Sequence, residues 1–76
     1  MSERVTDKRL IAGIMRYGAE DDIEECNGEI RQLFDYDGST YAVVYDLWPA
    51  GYMTVAERCD WAEHHIIAVY RLDGDD

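Results

Sequence analysis

The residues best equipped for chemistry lie close together near the C-terminus: Cys59, Asp60, His64 and His65. A zinc site needs several ligands converging on one point. Neighbouring side chains on a helix diverge by about 100°, and on a strand they face opposite sides. His64 and His65 therefore make a poor chelate, and no second cysteine–histidine pair lies near them. Their expected roles are structural, one near a helix C-terminus where the dipole favours a cation and one at the surface. Nucleophilic catalysis needs Ser, Cys or Thr beside a base. The only serines are Ser2, at the terminus, and Ser39, in a turn sequence. Gly38-Ser39-Thr40 lacks the pattern of a phosphate loop. We expect no catalytic residue, no metal and no cofactor.

Carboxylates are the remaining chemical resource, with 17 acids against 7 bases and a net charge of −10. Residues 1–16 carry two acids and four bases, a net of +2, and residues 17–76 a net of −12. A field of one sign over most of a surface repels nucleic acid and anionic lipid and attracts basic partners. The densest run is YGAEDDIEECNG at 17–28, with five carboxylates between two glycines and no base. With 47% hydrophobic and 12% aromatic residues, the chain is too apolar for a disordered acidic tail.

Seventy-six residues suffice for one compact domain, expected over 1–76 with a frayed N-terminus and an acidic C-terminal tail, DGDD. MSERVTDKR does not read as a signal peptide, and no apolar run is long enough to span a bilayer. The expected location is the cytoplasm. Cys26 and Cys59 are expected as small buried thiols rather than a disulfide framework.

Thr6 reads as the cap of a first helix, with Leu10, Ile14 and Tyr17 at i, i+4, i+7 and Gly18 as its stop. Gly13 inside that helix suggests close packing against a neighbour. Ala19, Ile23 and Cys26 repeat the helical spacing, so a short second helix is expected over about 19–27, stopped by Gly28. Asp37-Gly38 predicts a hairpin with Phe34 opposite Tyr41, Gln32 opposite Val43 and Ile30 opposite Tyr45. One face of it would be apolar. The other, with Glu29, Arg31, Asp35, Thr40 and Asp46 among Leu33, Ala42 and Val44, would be wet. Thr54 and Glu57 form a capping box for a helix over about 55–64, and IIAVYRL at 66–72 reads as a final strand. The expected fold is α+β, ordered α-α-β-β-α-β, with a three-stranded antiparallel-rich sheet and helices packed on one face. Periodicity does not assign Trp48, Tyr52 and Trp61 clearly, and most aromatics are expected to complete the core.

Within the expected second helix, Glu24 and Glu25 lie one turn from Glu20 and Asp21, where like charges cost about 0.2–0.5 kcal/mol a pair. A fold alone would prefer lysine at some of these sites. Carboxylates about 5–6 Å apart on a helix, or about 6.5–7 Å apart on a strand face, resemble successive phosphates of a nucleic-acid strand. Glu20, Asp21, Asp22, Glu24, Glu25, Glu29, Asp35 and Asp46 are the expected partner-binding residues.

The acidic stretch GAEDDIEECNGE, the hairpin acids and the DGDD tail on so short a chain resemble the small phage-encoded inhibitors that mimic DNA. The anti-CRISPR proteins of the DNA-mimic type are the nearest such group. The resemblance covers size, charge and compactness, not a motif. It implies a non-enzymatic protein in the host or phage cytoplasm; a monomer or homodimer is our own expectation. Such a protein would bind the basic DNA-binding surface of a CRISPR effector and would not bind nucleic acid directly. LWPAGY at 47–52 resembles the tryptophan–proline turn of MbtH-like partner proteins. However, Arg58-Cys59 departs from their Arg-Xaa-Xaa-Cys spacing, and their C-terminal signature is absent. The competing expectation is a small acidic structural, adaptor or antitoxin-like domain. One lysine against six arginines also fits a salt-adapted source.

Overall fold

The computed structural model describes residues 2–72. The elements run β1 (Ser2–Arg4), α1 (Lys8–Tyr17), β2 (Ala19–Cys26), β3 (Glu29–Tyr36), β4 (Ser39–Tyr45), α2 (Val55–His65) and β5 (Ile66–Leu72). The strands form one antiparallel sheet in the order β1-β5-β4-β3-β2.

This corrects the expected α-α-β-β-α-β order and three-stranded sheet. Residues 19–26 are a strand, and residues 2–4 pair with β5 rather than fray. The DGDD tail lies outside the described residues. Asn27-Gly28 explains the first correction. Asn27 at φ 54° and Gly28 at φ 83° make a two-residue turn, as Asp37 at φ 50° and Gly38 at φ 79° do between β3 and β4. Two left-handed residues in succession are the signature of the turn whose twist suits a hairpin. Gly28 thus reverses a strand instead of stopping a helix. The strand also separates charge, because successive side chains such as Glu24 and Glu25 face opposite sides.

The Asp37-Gly38 hairpin has the register its turn requires, with Phe34 opposite Tyr41, Gln32 opposite Val43 and Ile30 opposite Tyr45. Strand β5 pairs with β4, not with the hairpin's other edge. Helix α2 lies in the connection between these two strands, whose ends are joined by a hydrogen bond from Asp46 N to His65 O at 3.0 Å.

The core lies between the two helices and one sheet face. Ile14 and Met15 of α1 and Ala62 of α2 cluster with Ile30, Phe34, Tyr41, Val43, Tyr45 and Val69. Gly13 lets α1 approach the sheet, since a Cβ there would lie 2.6 Å from the Tyr36 hydroxyl. On the helix-free face, Ala42 and Val44 are buried as well. They lie on the central strand, between Leu33 and Tyr70 and between Arg31 and Ala68. That face is wet only toward its margins.

The N-cap of α1 is Asp7, not Thr6: Arg9 N donates to Asp7 Oδ1 at 2.9 Å. The capping box of α2 forms, with Glu57 N donating to Thr54 Oγ1 and Thr54 N to Glu57 Oε1. Cys26 is exposed and Cys59 partly so, which corrects the expectation of two buried thiols. Among the described residues no helix is long and apolar enough to cross a membrane.

Candidate functional site

Strand β2 forms one edge of the sheet, and its five acids lie along that edge. The pairing with β3 sets Glu20 opposite Phe34 and Ile23 opposite Gln32. Asp21 and Asp22 therefore oppose the single residue Leu33, a β-bulge. The extra residue changes which side chains share a face. Glu20, Ile23 and Glu25 all lie over the helix-bearing face, opposite Phe34, Gln32 and Ile30. Glu24 lies on the other face, opposite Arg31. Of the expected apolar stripe only Ile23 reaches the core, while Ala19 and Cys26 are exposed.

The bulge gives Glu20 a structural task. Its Oε2 lies 2.6 Å from Arg58 Nη1, and its Oε1 accepts from Gln32 Nε2 at 3.2 Å. Among the described residues Gln32 is the one buried amide or charged side chain. Its amide also donates to Asp21 O at 3.3 Å and accepts from the Tyr45 hydroxyl at 2.8 Å. Burial pushes the Tyr45 phenol well above its ordinary value, Arg58 pulls it down, and Glu20 pushes it up. Arg58 also donates from Nε and Nη2 to Met15 O and lies over the Phe34 ring at 5.8 Å. A paired and hydrogen-bonded group is what a buried polar cluster requires. One network thus ties β2, β3, β4, α1 and α2 together.

The other expected partner-binding residues divide by what they touch. Glu29 pairs with Arg31 at 3.1 Å, Asp35 accepts from Thr40 Oγ1 at 2.9 Å, and Asp46 lies 3.0 Å from His65 Nδ1. Asp21 accepts from Asp22 N. The carboxylates of Asp22, Glu24 and Glu25 are exposed and engage no partner among the described residues. Asp46 lies at the end of β4, away from β2. The acids do not make one flat surface, as a helix beside a wet sheet would have. They make a ridge along a sheet edge with carboxylates on both sides, and Arg31 interrupts it on the helix-free face.

Tyr45 sits beside Ile30, whose other neighbour is Glu25, so β4 ends level with the C-terminal half of β2. The connection that follows exposes Trp48 and, at 87%, Tyr52. Trp61 instead packs edge-on against Tyr45, with ring centroids 4.9 Å apart, and stacks near His65. His64 is exposed. Sequence reasoning missed Arg58, Gln32 and Tyr45 as a unit. The signal was Gln32, a lone amide at a core position between Ile30 and Phe34.

Compared with known protein families, characterised protein sequences and solved structures, the chain matches none.

Proposed function

We propose that the chain is a non-enzymatic acidic inhibitor. In this reading it occupies a basic nucleic-acid-binding surface of another protein by DNA mimicry and blocks target DNA. A CRISPR effector subunit is the partner class that its resemblance implies. The observation that carries this reading is the group Asp22, Glu24 and Glu25, three exposed carboxylates that form no ion pair among the described residues, since Arg31, opposite Glu24, is paired with Glu29. Glu24 and Glu25 face opposite sides of β2, so the acids flank the edge rather than line one face. Along either flank, alternate residues of a strand lie about 6.5–7 Å apart, close to the spacing of strand phosphates. Lysines and arginines that serve a phosphate backbone can serve such a row, with affinity that falls as salt rises. Exposed Trp48 and Tyr52 are the residue types that anchor protein interfaces.

The test is charge reversal. Asp22→Lys, Glu24→Lys and Glu25→Lys together remove binding to a basic DNA-binding partner and leave the melting transition intact. Unchanged affinity in the triple variant refutes the reading.

A second reading, a structural or adaptor domain, is favoured by where the acids lie. Charges on an outer strand block edge-to-edge pairing with other sheets. Under that reading Asp22→Asn, Glu24→Gln and Glu25→Gln together cause self-association in dilute buffer. Under the inhibitor reading they only weaken partner binding. Salt adaptation makes a third, separable prediction, a fold that requires molar salt.

A further inference from the structure

Far from β2, the helices and β5 enclose a half-open groove of about 940 Å³. Its floor is apolar and includes Ile11 and the 54%-exposed Ile67. Its two sides carry opposite charge. Arg4 and Lys8 come from β1 and α1, and Asp60 and Glu63 come from α2. All four are exposed, and none engages a partner among the described residues. The two sides share one groove but do not bridge it.

We infer that this groove is the interface of a two-fold homodimer. A two-fold axis along the groove sets the basic side of each copy against the acidic side of the other, so both sets of charges are paired at once. An anionic amphiphile would satisfy Arg4 and Lys8 but face Asp60 and Glu63, and a cationic one would do the reverse. A second copy carries both signs, placed by symmetry. Residues 1–16, with their net of +2, contribute one side, so this is where two chains of net −10 can meet with least repulsion. Ile67, half exposed at the groove, supplies apolar surface to such a contact. Outside the groove the two acidic chains repel each other, so the dimer is weak and forms only as concentration rises. The sheet order keeps β2 at the opposite edge, and the dimer presents two acidic ridges. The inference goes beyond the inhibitor reading and does not depend on it.

Sedimentation equilibrium from about 1 μM to about 1 mM tests it by mass action. The wild type moves from the 8.8 kDa monomer to a dimer over that range. Lys8→Glu and Glu63→Lys each weaken self-association at least about tenfold. Mixing the two variants restores it, because an Lys8→Glu chain and a Glu63→Lys chain pair correctly at both contacts. Ile67→Asp abolishes it. A wild type that stays monomeric near 1 mM overturns the inference, and so does a dimer that neither reversal weakens. A mixture no better associated than its components overturns it too. The wild-type measurement decides even if a variant fails to fold, which circular dichroism melts report.

Discussion

Arg58 on α2 holds Glu20 on the outermost strand, with Nη1 and Oε2 2.6 Å apart. The same guanidinium donates to the Met15 carbonyl on α1. Arg58 is only 15% exposed and Glu20 is half exposed, so the pair is partly screened but not free in water. Arg58→Ala leaves the Met15 carbonyl and the Glu20–Gln32 cluster short of donors, and should cost about 2 kcal/mol in urea unfolding. Arg58→Lys recovers only part of this, because a single ammonium cannot reproduce the planar fork.

The acids of β2 should separate into two classes by stability. Glu20→Gln loses the charge that faces Arg58 and is destabilising by about 1 kcal/mol. Glu24→Gln and Glu25→Gln change unfolding by less than about 0.5 kcal/mol, since surface charges without partners contribute little. Equal effects at all three positions would contradict the division between a structural acid and free ones.

Tyr45 makes stability depend on alkaline pH. Its folded value is raised by burial from an unfolded value near 10. Below pH 10 both states hold the proton and the contribution is fully present. Above it the unfolded chain ionises first, so stability falls as pH rises toward the folded value. Tyr45→Phe removes the donor to Gln32 Oε1 and costs about 1 kcal/mol at neutral pH. The gap between wild type and variant should narrow in melts above pH 10.

Gly28 at φ 83° tests the turn that makes residues 19–36 a hairpin. Nothing lies near an added Cβ, so Gly28→Ala acts through the backbone alone. It should cost about 1 kcal/mol, measured by urea unfolding, because an L side chain resists the left-handed region.

The same turn explains what the sequence made legible and what it hid. Asp37-Gly38 announced its hairpin because β-rich segments flank it. Asn27-Gly28 carries the same chemistry, but Ala19, Ile23 and Cys26 fall at helical spacing, which makes Gly28 read as a helix stop. An edge strand needs few buried residues, so β2 shows almost no period of two, and only Ile23 is partly buried. The bulge at Asp21–Asp22 then shifts the alternation midway, which no simple period can reveal. The charge of the candidate site was legible as composition. Its shape was not, because that depends on the strand pairing. Nor was the separation of Glu20 from its neighbours, which rests on Arg58, 38 positions away in the chain.

In the proposed inhibitor, Asp22, Glu24 and Glu25 stand in for phosphates at a basic surface. The most direct measurement is displacement of a fluorescent target duplex from a panel of CRISPR effector complexes, with wild type and the triple lysine variant compared at low and raised salt. Wild type should release duplex from at least one complex, release should weaken as salt rises, and the triple variant should fail. Release by the triple variant equal to wild type, or no release from any complex in the panel, would contradict the inhibitor reading.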